Sequence, residues 1–314
     1  GTEIPVEPRS TAKSLFCEES TWLSGNVSVR TIDENGAPLE GVTVSYGCGD
    51  YDECWLGNTE LINSNADWKG KLPLCRGGYI SLTKEGFGTK IIPLTTEEGI
   101  GAMLATEKID KIREIEATIK KFEIQKNIYR DSWEWKEDPE TIGGAQDIDS
   151  NSEQVIVSIT QTGFAAGTNP MSNSVIFGKE GVDKGTIQLV PGEYEVTATL
   201  IDHNGVIIPG NCSRICKTDV IICLDYEYYP SDNVNMTPAP WGGVELKAGA
   251  GAAGTFSVTA AELDSGKVLE FHVIKLPNLQ LANPAGGCLQ SMEEMNKIIE
   301  YSAKYVDVLK PVWS

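Results

Sequence analysis

Eight cysteines are the residues whose spacing carries the most chemistry in this 314-residue chain. They fall into two groups of four: Cys17, Cys48, Cys54 and Cys75 in the first third, and Cys212, Cys216, Cys223 and Cys288 in the last third. An even number in each group points to local closure, and four thiols allow three pairings. Two bridges are therefore expected in each group, with the partners left open. Zinc is the competing chemistry, and it asks for Cys-x-x-Cys pairs or histidines at fixed offsets. Neither spacing occurs, and the two histidines are His203 and His272. Disulfides persist in oxidising surroundings, so the expected location is extracellular or on a cell surface.

Other chemistry-bearing patterns are thinner. Nucleophilic catalysis needs a base held beside a nucleophile, yet His203 falls at the turn His203-Asn204-Gly205 and His272 alternates between Phe271 and Val273. No Gly-x-Ser-x-Gly, His-Glu-x-x-His or dinucleotide fingerprint is present, so no catalytic residue is expected. Asp147, Asp149, Asn151 and Glu153 place oxygen side chains at alternate positions, as calcium loops do, which makes calcium the one candidate cofactor. The glycine of an EF-hand loop is missing there, and a polar linker is the plainer reading. Trp133 and Trp135 alternate in a charged stretch and form a candidate sugar-stacking surface, while Trp55 and Trp68 lie in the cysteine-rich insert. Asn26, Asn211 and Asn235 head glycosylation sequons, although Pro238 directly after the third works against it.

With 45 acidic against 26 basic residues the net charge is −19, so the surface repels nucleic-acid phosphates and anionic lipid headgroups. Neither is an expected partner. No run reaches the ~20 apolar residues of a membrane span. Gly1 to Pro8 lacks the positive and apolar parts of a signal peptide, so the expectation is a chain from which a leader has been removed. A 40% hydrophobic composition with 32 glycines and 15 prolines fits buried cores joined by many turns. The length suits three modules of roughly 80 to 120 residues.

The elements that must position these residues read as strands. Asn26 to Asp33, the turn Glu34-Asn35-Gly36 and Gly41 to Tyr46 read as a hairpin, and Gly77 to Lys84 with Thr89 to Leu94 as another, Pro93 marking an edge. Gly47 to Cys75 reads as a long stapled loop. Residues 101–130 fit helix and strand equally: Ile109, Ile112, Ile115, Ile119 and Phe122 make a helical stripe, whereas Ile115, Ala117 and Ile119 followed by Phe122 and Ile124 make a bulged strand. Val155 to Thr160, Thr186 to Val190, Glu193 to Ile201, Trp241 to Lys247, Thr255 to Thr259 and Val268 to Lys275 read as strands. A further hairpin is expected across His203-Asn204-Gly205, its outgoing strand braced by Cys212, Cys216 and Cys223. Tyr226 to Pro240 reads as a connection. Ser291-x-x-Glu294 opens an expected helix over 291–309 that docks on its own sheet.

The run Asp33-Glu-Asn-Gly-Ala-Pro-Leu-Glu-Gly-Val-Thr-Val44, followed by Gly77-Gly-Tyr-Ile-Ser-Leu-Thr-Lys-Glu-Gly-Phe87, resembles the carboxypeptidase-regulatory-like (transthyretin-like) β-sandwich. Similar modules, the CnaB-type domains of surface pili among them, imply scaffolding without a peptidase site. Leu189-Val-Pro-Gly-Glu-Tyr-Glu-Val196 resembles PEGA-like and related immunoglobulin-like surface modules. The resemblance implies a prokaryotic, archaeal or bacterial, surface protein.

The expected fold is thus mainly β: tandem immunoglobulin-like or transthyretin-like β-sandwich modules with a C-terminal α-helix. The expected organisation is an extension over 1–24, sandwiches over 25–97 and 98–230, and strands plus a helix over 231–314. Pro5 and Pro8 limit pairing in the extension, which leaves Thr11, Ala12, Lys13, Ser14, Leu15 and Phe16 as a stretch that can be donated as a strand to a second copy. The functional expectation is a non-catalytic subunit of an extracellular filament or surface layer, a homo-oligomer or polymer. The alternative is a monomeric glycan-binding adhesin module.

Overall fold

The computed structural model describes residues 15–49, 53–126, 128–131, 134–137, 139–162, 170–178, 182–208, 212–216, 226–230, 234–247, 255–277 and 296–314. The fold is mainly β with a few short helices, and it divides into two compact units, one ending at Arg113 and one built from Glu114 onward.

The first unit holds eight strands: β1 (Val27–Ile32), β2 (Thr43–Cys48), β3 (Cys54–Asn58), β4 (Glu60–Ile62), β5 (Asn65–Gly70), β6 (Cys75–Thr83), β7 (Lys90–Thr96) and β8 (Ala102–Lys108). They form two four-stranded sheets, ordered β4-β5-β1-β8 and β3-β2-β6-β7. Val27 and Val29 of β1 share one core with Val42, Val44 and Tyr46 around β2, because alternate side chains of each strand point inward.

Two expectations are corrected here. β1 and β2 are not a hairpin: β1 pairs with β5 and β8, β2 with β3 and β6, so the Asp33 to Gly36 turn carries the chain from one sheet to the other. Buried Leu39, whose amide bonds the Thr31 carbonyl, anchors that crossing. The insert from Gly47 to Cys75 is not a loop either, because it contributes β3, β4 and β5. The β6–β7 pair forms as expected, and β7 with Pro93 is an edge strand.

The second unit is organised by one ten-stranded sheet. Its strands are β9 (Arg113–Gln125), β12 (Thr141–Gln146), β13 (Glu153–Thr162), β14 (Ser172–Phe177), β15 (Gly185–Leu189), β16 (Gly192–Asp202), β21 (Ala239–Leu246), β22 (Phe256–Val258), β23 (Leu269–Lys275) and β24 (Val312–Trp313). The main order is β12-β9-β23-β21-β16-β13-β14. β15 pairs with β9 and also packs beside β14, so the sheet curls around a core that includes Trp241, Tyr194, Phe177 and Phe271. Smaller antiparallel pairs join β10 (Ile128–Asp131) to β11 (Glu134–Glu137), β17 (Val206–Ile208) to β20 (Val234–Met236), and β18 (Cys212–Cys216) to β19 (Tyr226–Pro230).

Segment 101–130, open between helix and strand in sequence, is strand in β8, β9 and the start of β10. The expected division at 97 and 230 also shifts. β8 belongs to the first unit, and β21 and β23 sit inside the second unit's sheet, so the described residues after 231 belong to that unit. The hairpin across His203 to Gly205 does not form: both edges of β16 are taken, by β13 on one side and by β21 and β22 on the other, and β17 pairs with β20 instead. Tyr226 to Pro240, expected as a connection, supplies β19, β20 and the start of β21.

The helices are short. α1 (Ala260–Leu263) carries a Thr259/Glu262 capping box. α2 (Ile298–Lys304) and α3 (Val306–Leu309) replace the single helix expected over 291–309, separated at Tyr305. The expected capping box at Ser291 and Glu294 lies outside the described residues. Tyr301 and Leu309 face the core, whereas Ile299 is exposed. Docking is on the unit's own sheet: the Ser302 hydroxyl accepts the Glu245 amide of β21.

Candidate functional site

The first unit is braced by covalent links. Cys17 bonds Cys54 and Cys48 bonds Cys75, closing separations of 37 and 27 residues. The first ties the segment ahead of β1 to β3; the second ties the end of β2 to the start of β6. In the chain-entropy account each closure stabilises by about 3–4 kcal/mol through the unfolded state. Beside them Tyr46 donates to the Leu94 carbonyl, and Thr96 donates to the Pro73 carbonyl while accepting the Cys75 amide. Glu34, in the crossing turn, accepts from Arg113 at 2.6 Å and from the Lys111 amide. Burial pushes the Glu34 carboxyl up, but these hydrogen bonds outweigh it and hold the group below its usual range.

The second unit is braced by charge. Glu153, at the start of β13 and 2% exposed, accepts from Lys121 of β9 at 2.8 and 2.9 Å, from Lys275 of β23, and from the Asp149 amide at 2.7 Å. Lys275 also reaches Asp202 at the end of β16, at 3.1 Å. Three strands of the sheet, β13, β9 and β23, therefore meet at one carboxylate, and β16 joins them through Lys275. Burial raises the Glu153 pKa, and the bonds from Lys121, Lys275 and Asp149 more than reverse it, leaving the group below the ordinary glutamate value. Burial works against the Lys275 charge, yet Glu153 and Asp202 raise its pKa overall. The arrangement holds the Glu153 carboxylate and the Lys275 ammonium ionised where each alone would be costly.

Tyr194 gives the second unit another fixed point. Its hydroxyl donates to the Val190 carbonyl at 2.7 Å and accepts the Val190 amide at 3.1 Å, the geometry of a tyrosine corner in immunoglobulin-like sandwiches. This is what the Leu189 to Val196 phrase builds. His272 donates from Nδ1 to the Val308 carbonyl at 2.7 Å, with its ring edge-on to Phe122, and so pins α3 to β23. His203 is exposed and meets Gln154.

The residues read as a calcium loop do not converge. Asp147 pairs with Lys120 at 2.6 Å, Asp149 accepts from Ser152 and Asn151 to close a turn, and Glu153 is committed to its lysines. Among the described residues no group of three or more His, Cys, Asp or Glu side chains gathers to hold a metal. An open groove of 590 Å³ is lined by Glu116, Lys120, Asp147, Asp183, Lys184 and Glu270 among others, and Lys120 and Lys184 are spent on ion pairs to Asp147 and Glu116.

The remaining candidates are only partly placed. Cys212 and Cys216 lie on β18, while Cys223, Cys288, Trp133 and Asn211 lie outside the described residues. Trp135 is on β11. Asn26 and Asn235 are exposed. Of the donor stretch, Thr11 to Ser14 lie outside the described residues, and Leu15–Cys17 is a 3-10 turn rather than a strand. Phe16 stacks on Tyr46 of its own unit and is followed by the bonded Cys17, so it is not available for donation.

No family model and no curated protein matches the chain. Solved structures that the chain is similar to include a streptococcal ancillary pilin, at 11% identity and a TM-score of 0.23, covering 55% of this chain and 53% of that one. This chain thus spans about half of that pilin's length. A DUF3823 family protein from Bacteroides ovatus is 10% identical with a TM-score of 0.20, over 68% and 98% of the two chains. The major pilin subunit of Bacillus cereus is 12% identical with a TM-score of 0.20, over 80% and 99%. No helix among the described residues is long and apolar enough to cross a membrane.

Proposed function

We propose that the protein is a non-catalytic structural subunit of an extracellular filament or surface layer, assembling through contacts between its β units. The observation that carries this reading is the double bracing of the first unit, Cys17 to Cys54 and Cys48 to Cys75, in a β-sandwich. Disulfides of this kind serve proteins that must keep their shape in an oxidising exterior. The −19 charge keeps such a subunit soluble before assembly. Strand donation uses residues ahead of Leu15, since Phe16 and Cys17 belong to their own sandwich.

Negative-stain microscopy of native material tests the proposal, with fibres or lattices as the expected result. A chain lacking residues 1–14 retains Phe16 and both bridges, so it should fold and fail to assemble. A native protein that stays monomeric at high concentration by light scattering overturns the reading, and normal assembly of the shortened chain overturns donation.

A further inference from the structure

On the outer face of the β3-β2-β6-β7 sheet, Trp55 is 67% exposed, the most exposed tryptophan among the described residues. It stands opposite Ser45, two residues along from Gly47, which faces Tyr79 on the other side of β2. The Tyr79 ring lies across Gly47: a Cβ there would come within 2.3 Å of the ring carbon that bears the hydroxyl. Only glycine lets the ring lie flat over β2 and reach toward β3, where Glu53, exposed, comes next to Cys54, the partner of Tyr46; burial first, and the Glu53 carboxylate second, push the phenol's pKa up. Glu53 is two residues from Trp55, so one indole, one phenol and one carboxylate share a small patch. Trp55 is the diagonal neighbour of Gly47, over which the Tyr79 ring lies, and such neighbours are about 7–8 Å apart.

We propose that Trp55, Tyr79 and Glu53 form a binding platform for a neutral glycan. Flat aromatic faces take up the C–H faces of sugar rings, and a carboxylate accepts from their hydroxyls. The surroundings favour this occupant over a protein. Ser45, Ser81, Thr43, Thr83 and Asn58 occupy the face on β2, β3 and β6, and Ile91 and Pro93 of the edge strand β7 are its apolar neighbours, too few to make the dry apolar centre that a protein interface requires. Charge decides the class of sugar: Glu53 on a chain of net charge −19 repels sulfated and uronic-acid polymers and leaves neutral ones. The platform lies wholly in the first unit and does not depend on whether the protein assembles.

The test is affinity electrophoresis and calorimetry of the whole chain against mannan, β-glucan, galactan and chitin oligosaccharides, with heparin and polygalacturonate as anionic probes. At least one neutral probe should bind, and binding should protect Trp55 from acrylamide quenching. Trp55→Ala should weaken that binding at least tenfold, and Glu53→Gln severalfold. Gly47→Ala should weaken it by displacing the Tyr79 ring. Trp55 is solvent-exposed, so its alanine variant should keep the wild-type circular dichroism spectrum and unfolding midpoint. Absence of binding to every neutral probe, binding to the anionic probes alone, or equal binding by a folded Trp55→Ala chain overturns the proposal. Filament formation by any of these variants bears only on the structural role.

Discussion

Replacing Glu153 by glutamine gives the sharpest test of how the second unit is held together. The substitution keeps the shape and removes the charge that two lysines share. Lys275 retains Asp202 at 3.1 Å, but Lys121 is left with Glu123, a partly exposed partner at 3.7 Å. Removing one member of a buried ion pair strands the other in a poorly solvating site and costs about 3–5 kcal/mol. For a unit of this size that corresponds to a fall in melting temperature of about 6–20 °C. Calorimetry would read the transition, and hydrogen exchange of β9, β13 and β23 peptides would localise the loss to the strands that meet at Glu153. The pH dependence adds an independent check. Because the folded Glu153 pKa lies below its ordinary value of 4.5, its contribution is complete above that value and is lost as pH falls through the folded pKa. Lys275 has the opposite sign: its raised pKa gives stability present below 10.5 and lost as pH climbs through the folded value. The glutamine variant should therefore lose part of the acid-side decline that the wild type shows. An unchanged melting temperature with an unchanged acid limb would refute the view that this cluster stabilises the sheet.

Three other perturbations probe separate features. Cys17→Ser should cost the first unit about 3–4 kcal/mol in denaturant unfolding, and a midpoint equal to wild type under oxidising conditions would show that the bridge contributes nothing. Gly178, at φ +80°, would carry a Cβ 2.2 Å from the Glu153 carbonyl oxygen, so Gly178→Ala should destabilise by about 2–4 kcal/mol and disturb the charge cluster. His272→Ala should leave the Val308 carbonyl without its donor and cost about 1–3 kcal/mol, with faster exchange confined to α2 and α3; exchange at the wild-type rate would remove His272 from that role.

Much of the strand pattern was legible because most strands have one buried and one exposed face. β13 alternates buried and half-buried along nearly its whole length, and the sequence of Val155 to Thr160 states that alternation directly. β9 was ambiguous for an identifiable reason. Its inward positions run Ile115, Ala117, Ile119 and then Lys121, before the buried set shifts to Phe122 and Ile124. A lysine at a core position breaks a two-residue hydrophobic period and leaves a spacing that also fits a helix. Local chemistry likewise misdirected the Asp33 to Gly36 turn. Its residues specify a tight reversal, yet whether the chain reverses into the same sheet or the facing one depends on which strands claim β1, and those are β5 and β8.

The loop from Asp147 to Glu153 shows why a site was harder to read than a fold. Alternating oxygens in seven residues look like a ligand set because a cation would recruit them together. In the folded chain each has a different partner: Asp147 takes Lys120 at the surface, Asp149 caps its own turn, and Glu153 turns inward to lysines 32 and 122 residues away in sequence. Those lysines carried no local signal, one hidden in a Lys/Glu-rich strand and the other at the end of an apolar one. A carboxylate beside a strand start can serve a metal or a distant ammonium group, and only the register of β9 and β23 decides between them. That register is fixed in turn by Phe122 and Ile274, paired across the two strands in the same core. The charge cluster is thus a consequence of how the apolar residues align the sheet, and it adds a penalty to any slip that would separate Lys121 and Lys275 from Glu153.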